Sequence, residues 1–171
     1  MRSGFRNWKR GANKVPENSP TRILVVDDDD DGCYLIEQML RRSERRFELT
    51  TAASGGEAIK IFIDNFRCLP HAGILMDLVL PDINGLAVLR AMRALEAGSL
   101  SCHPARFAIL SGTMRTIKGL KFEKELDISL MLSKPILHDA FLKQIEAWLD
   151  APAPELSPAR EAASHFVISG C

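Results

Sequence analysis

Four short segments of this 171-residue chain place side chains suited to phosphoryl chemistry at the ends of apolar runs. Asp27 and Asp28 follow Ile23-Leu24-Val25-Val26, and Asp77 follows Ile74-Leu75-Met76. Ser111 follows Phe107-Ala108-Ile109-Leu110, and Lys134 comes just after the run from Ile128 to Leu132. Short continuous apolar runs suit strands buried on both faces of a parallel sheet. In open sheets whose strands alternate with helices, ligands bind beyond the carboxyl ends of the strands. These five side chains are therefore expected to converge. Carboxylates crowded in one cleft repel one another, so they hold protons or recruit a hard divalent cation, with Mg²⁺ the natural candidate. One carboxylate can then attack a phosphoryl group while the ion, a lysine ammonium and a hydroxyl neutralise the equatorial oxygens of the transition state.

Elements able to position these groups alternate along the chain. Phe47-Glu48-Leu49-Thr50 alternates in polarity, as a half-exposed strand at a sheet edge would. Cys33, Ile36, Met39 and Leu40 form one helical face, and Leu137, Phe141, Ile145 and Trp148 another. Ser54-Gly55-Gly56-Glu57 has the S-x-x-E form that satisfies free amides at a helix start, which predicts a helix from about 56 to 66. A third helix is expected from Gly85 to Ala97, and a weaker fourth between Met114 and Leu126. Five strands and five helices in turn call for a doubly wound α/β domain.

Length and composition narrow the function classes. The chain suits a single folded domain, expected over 21–150, between a basic tail (1–20, with Arg2, Arg6, Lys9, Arg10 and Lys14) and a Pro/Ala-rich tail (151–171, with Pro152, Pro154 and Pro158). About twenty residues after Asp150 cannot form a DNA-binding domain, so a stand-alone unit is expected. No apolar stretch approaches the roughly 18 residues that cross a bilayer. Twenty-two basic residues balance twenty-two acidic ones, which removes any general attraction to nucleic acid. Cys33, Cys68, Cys102 and Cys171 contain no C-x-x-C pair, and the basic start lacks the apolar core of a secretory signal, so a reduced, cytoplasmic chain is expected.

Four segments occur in order over about 130 residues: Val25-Val26-Asp27-Asp28-Asp29, Met76-Asp77-Leu78-Val79-Leu80-Pro81-Asp82-Ile83-Asn84-Gly85, Leu110-Ser111-Gly112 and Lys134-Pro135. Together they resemble a response-regulator receiver of two-component signal transduction. The resemblance implies a flavodoxin-like (βα)5 sandwich whose parallel five-stranded sheet has the order 2-1-3-4-5. It implies that Asp77 accepts a phosphoryl group from the phosphohistidine of a histidine kinase or phosphotransfer protein. Asp28 and Asp77 would bind Mg²⁺ directly, Asp27 through water, and Val79 through its backbone carbonyl. Ser111 and Lys134 would contact the phosphoryl oxygens, and the Lys134-Pro135 bond would be cis. Such a domain is a regulatory phosphoacceptor rather than an enzyme, and it signals to a downstream protein target. The chain departs from the family pattern at Met131, where receivers usually carry an aromatic residue, and at Asp127 and Ile128, where they usually carry Gly-Ala. Gly119 within the fourth helical pattern costs about 1 kcal/mol relative to Ala.

The same residues admit other readings. Asp30 and Asp31 suit a helix start, where carboxylates are favoured. The run from Asp27 to Gly32 imitates an EF-hand opening, but Gln38 stands where that loop needs a bidentate Glu. A degenerate receiver would act as an unphosphorylated interaction module. A haloacid-dehalogenase-like phosphatase would make Asp27 the nucleophile and Asp29 the general acid. His71, His103, His138 and His165 have no metal-ligand spacing and are expected at the surface or in loops. Arg41, Arg42, Arg45 and Arg46 are expected at the end of the first helix, where its dipole alone suits cations.

Overall fold

The computed structural model describes residues 19–65, 68–97, 104–112, 126–136 and 138–152. In chain order these form β1 (Thr21–Val26), α1 (Asp30–Leu40), β2 (Phe47–Ala52), α2 (Gly55–Asn65), β3 (Gly73–Asp77), α3 (Gly85–Ala97), β4 (Arg106–Ser111), β5 (Ile128–Ser133) and α4 (His138–Asp150). The strands make one parallel sheet of order β2-β1-β3-β4-β5, the flavodoxin-like arrangement expected. The fourth helical pattern with Gly119, His103, His165, Cys102, Cys171, Leu137 and most of both tails lie outside the described residues.

Alternation along the buried strands divides the core into two layers. Leu24, Val26, Ile74, Met76, Phe107 and Ile109 face Ala58 and Phe62 of α2 and Val88, Leu89 and Met92 of α3. Ile23, Val25, Leu75, Ala108 and Leu110 face Cys33, Ile36 and Met39 of α1 and Phe141, Ile145 and Trp148 of α4. Each fully buried Ile, Leu or Phe contributes about 1.5–3 kcal/mol by leaving water, so these two layers supply much of the force that holds the helices on the sheet. β2, at one edge, leaves Glu48 exposed as its alternating sequence predicts, while Thr50 is half-buried and Thr51 is exposed instead.

Local signals set the helix starts. Ser54 Oγ accepts the Glu57 amide at 3.2 Å, and a Glu57 carboxylate oxygen accepts the Ala53 amide at 2.9 Å, so the S-x-x-E pattern caps α2. Asp29 is the N-cap of α1 without a side-chain cap bond, and Asp30 and Asp31 stand in its first turn. Asp127 takes φ 50°, a left-handed conformation that Asp tolerates better than most non-glycine residues. Met131, in place of the family's aromatic residue, is half-buried against the α2–α3 layer.

Two expectations need correction. α1 ends at Leu40, so Arg41 is its C-cap and the other three arginines lie in the turn beyond it. Nor does the dipole alone hold them: Arg41 pairs with Glu37 at 2.8 Å and Arg45 with Asp150 at 2.5 Å. His71, expected at the surface, is 3% exposed. The Ala72 amide bonds to the Arg22 carbonyl at 2.8 Å, which ties this end of the loop to β1 just before β3 begins. Neither ring nitrogen has a hydrogen-bond partner among the described residues.

Burial, helped by the nearby Arg22 charge and opposed by Glu48, pushes the His71 pKa down to about 4. A depressed histidine contributes stability that is complete above its unfolded value near 6.5 and lost as pH falls through the folded value. Between pH 7 and pH 4 the wild type is therefore expected to lose about 3 kcal/mol more unfolding free energy than a folded His71→Leu variant. Urea melts at the two pH values measure this, and equal losses would show that His71 is solvated.

Candidate functional site

The site forms where the central strands end. Val26 of β1 pairs with Met76 of β3, so Asp27 and Asp77 emerge side by side on neighbouring strands. The Asp27 amide extends the β1–β2 ladder by bonding the Ala52 carbonyl at 3.0 Å, which holds Asp27 in the cleft at 2% exposure. Asp27 Oδ1 accepts the Asp29 amide at 3.1 Å. Asp77 is the last residue of β3 rather than the first beyond it, and Ser111 likewise closes β4. Both are buried. Lys134 follows β5, and its amide donates to the Ser111 carbonyl at 2.9 Å, which ties these two positions together.

The loop after Asp77 is held from both ends. Val79 donates its amide to Asp77 Oδ1 at 3.0 Å, and Gly85 donates to the Leu78 carbonyl at 3.1 Å. A Cβ on Gly85 would lie 2.0 Å from the Asp77 carbonyl oxygen, so only glycine lets α3 begin this close to β3. Asn84 then caps α3 by accepting the Leu86 amide at 2.9 Å.

The Lys134 ammonium bridges the two central carboxylates, reaching Asp27 Oδ2 at 2.6 Å and also Asp77 Oδ2. Burial works against the charge on Lys134, but its hydrogen bonds to Asp27 and Asp77 outweigh that and hold its pKa above the usual range. Burial pushes the Asp27 carboxyl up, against the opposing influence of Lys134. Asp28 is exposed at the mouth, and oxygens of Asp27, Asp28 and Asp77 all lie within 4.8 Å of one another. Three carboxylates thus face one ammonium, and a divalent cation would bring the cluster to neutrality. The all-oxygen donor set suits Mg²⁺ or another hard ion.

The five sequence-derived positions, Asp27, Asp28, Asp77, Ser111 and Lys134, therefore lie together at the carboxyl end of the sheet, and the Lys134-Pro135 bond is cis. The side chain of Val79 points to solvent while its amide serves Asp77. Beside the cluster a groove of about 530 Å³ is lined by Asp29, Asp31, Leu35, Pro135 and Ile136 among others. Sequence reasoning assigned no role to Asp82, whose carboxylate caps α2, nor to the buried pair Arg93 and Glu96 in α3. No helix of the described residues is long and apolar enough to cross a membrane.

The comparisons agree with this geometry. A family model described as the response regulator receiver domain matches residues 23–146. A solved bacteriophytochrome response regulator, RtBRR, is similar at 26% identity over 88% of this chain and 92% of its own, with a TM-score of 0.62. A CheY-like receiver domain protein from Methanospirillum hungatei JF-1 shares 24% identity over 77% of this chain and 95% of its own, with a TM-score of 0.59. A CheY-like receiver domain from Methylobacillus flagellatus shares 23% over 76% and 99%, with a TM-score of 0.60. The last two are likenesses of fold. No curated protein matches the sequence.

Proposed function

Because the chain belongs to the response-regulator receiver family, we propose that Asp77 accepts a phosphoryl group from the phosphohistidine of a partner kinase or phosphotransfer protein. The observation that carries this reading is the Lys134 ammonium shared between Asp77 and Asp27, at strand ends where Asp28 and Ser111 also lie. A carboxylate oxygen of Asp77 attacks phosphorus as the donor's P–N bond breaks, and the electron pair of that bond returns to the imidazole. Lys134, already on Asp77 Oδ2, needs only a short shift to reach an oxygen carried on that carboxylate. The Ser111 hydroxyl, at the end of the adjoining strand, would donate to another.

Asp28 and Asp77 would hold Mg²⁺ directly, Asp27 through water and Val79 through its carbonyl, and the ion supplies positive charge against the phosphoryl oxygens. The groove beside Asp27 and Lys134 gives a donor histidine an approach to the cleft. The output is a change in affinity for a downstream protein, as in receivers generally.

Incubation with acetyl phosphate and Mg²⁺ is expected to add one phosphoryl group per chain, removable by hydroxylamine as an acyl phosphate should be. Excess EDTA should lower the labelling rate by about tenfold or more, the scale of losing a metal's charge stabilisation. Intact mass spectrometry reads both arms. No label with Mg²⁺ present would refute the phosphoacceptor reading and favour an unphosphorylated interaction module; equal labelling in EDTA would refute the role of the ion.

A further inference from the structure

Asp82 stands on the loop between β3 and α3, and its side chain is exposed, yet both carboxylate oxygens are engaged. Oδ1 accepts the amides of Gly55 and Ile83, each at 2.8 Å, and Oδ2 accepts the amide of Gly56 at 2.8 Å. Gly55 and Gly56 open α2, and amides in a helix's first turn have no partner within the helix. The local Ser54 and Glu57 pair does not serve these two amides. α2 therefore carries one cap from its own sequence and a second from the loop that follows the phosphoacceptor. The amides of Gly56 and Gly55 hold the Asp82 carboxyl below its usual range, as expected for a charge that the helix start favours.

The packing shows why the contact is close. A Cβ on Gly55 would lie 2.6 Å from Val88 Cγ2 and 3.3 Å from Asp82 Oδ1, so a side chain there would force α2 away from α3 and the loop. Within the loop, Val79 lies between the bond its own amide makes to Asp77 and the anchor at Asp82. The segment is thus fixed at Asp77, at Asp82 and at the Gly85 bond to Leu78. Removing the middle point leaves the Leu78–Val79 peptide held by its bonds to Asp77 and Gly85, with nothing fixing the loop against α2.

We propose that Asp82 is a positioning residue for the phosphoacceptor site, holding the loop against α2 so that the Val79 peptide stays where its amide reaches Asp77 and its carbonyl serves the metal. This rests on the reading of Asp77 and the Mg²⁺ site given above. Outer partners of metal ligands act in this way, by fixing the ligand's orientation before the ion arrives.

The test is the Mg²⁺ dissociation constant of the full chain, followed by calorimetry, for wild type, Asp82→Ala and Asp82→Asn. Asp82→Ala is expected to weaken Mg²⁺ binding by about tenfold, and Asp82→Asn, which keeps one carbonyl acceptor, by an intermediate factor. The loss should be larger in the Mg²⁺ concentration needed for half-maximal acetyl phosphate labelling than in the rate at saturating Mg²⁺. A cap with a purely structural role would lower the thermal midpoint and leave the dissociation constant unchanged, and that result would overturn the proposal. Should Asp82→Ala fail to fold, Asp82→Asn decides, since a wild-type dissociation constant there overturns it equally. A wild-type chain that neither binds Mg²⁺ nor takes label would instead overturn the site reading, and the inference with it.

Discussion

Asp77→Asn is expected to reduce labelling by acetyl phosphate to background while the chain stays folded. The amide is nearly isosteric, so its oxygen can still accept the Val79 amide that now bonds Asp77 Oδ1 at 3.0 Å. It lacks the anionic oxygen that attacks phosphorus, and it removes one of the two carboxylates on Lys134. Asp27→Asn should slow labelling without abolishing it, because in the proposed site Asp27 pairs with Lys134 and would reach the metal through water, while Asp77 takes the phosphoryl group. A haloacid-dehalogenase-like mechanism makes the opposite demand. With Asp27 as nucleophile and Asp29 as acid, Asp27→Asn would abolish turnover of a phosphate ester and Asp77→Asn would spare it. Lys134 reaches Oδ2 of both carboxylates and a backbone amide holds Oδ1 of each, so the identity of the labelled residue decides between the two mechanisms. Mass spectrometry of the labelled variants separates the two mechanisms, and label persisting in Asp77→Asn would place the acceptor elsewhere.

How much of this was legible follows from which interactions are local. Ile23 to Val26, Ile74 to Met76 and Phe107 to Leu110 read as strands because a strand buried on both faces leaves a continuous apolar run. Once those strands are parallel, Asp27, Asp77 and Ser111 must meet at one end. The small error, that Asp77 and Ser111 belong to their strands, arises because the ladder runs one pair further, Asp77 to Leu110 and Ser111 to Ser133. Asp82 stood inside a recognised motif, but its partners Gly55 and Gly56 precede it by 27 and 26 residues, and only the packing of α2 against α3 brings them together. His71 carried no periodic signal at all, since it lies in the loop before β3, which the Ala72–Arg22 bond ties to β1. Arg93 and Glu96 did leave a trace: they share the helical stripe of Leu89 and Met92 and so point inward. Their charges masked it, because the groups that satisfy them are carbonyls and an amide on other elements.

That buried pair supports the other large expected effect, a loss of about 3–5 kcal/mol in Arg93→Met, the usual result of removing one partner of a buried ion pair. Arg93 is 4% exposed and Glu96 6%, so neither charge has water to fall back on. The guanidinium bonds Glu96 Oε2 at 2.6 Å, the Ala105 carbonyl at 2.7 Å and the Leu126 carbonyl at 3.1 Å, and it lies 3.5 Å from the Phe107 ring centre. Met restores the apolar stem and leaves the Glu96 carboxylate buried beside unsatisfied carbonyls. Against a typical total of about 5–15 kcal/mol, such a loss removes a large share of the fold's stability. The double variant Arg93→Met with Glu96→Gln should recover part of it, since Gln needs no counter-charge and its oxygen can keep the Ala105 amide that Glu96 Oε1 now accepts at 2.7 Å. Urea unfolding of the two singles and the double gives the cycle, and a cost under about 1 kcal/mol for Arg93→Met would mean that water reaches the pair. The anchor holds residues 105 and 126, just ahead of β4 and β5, whereas Ser111 and Lys134 stand at or just past the far ends of those strands. The folded fraction of Arg93→Met should therefore still take label at Asp77, which separates what holds the sheet together from what it presents at its carboxyl end.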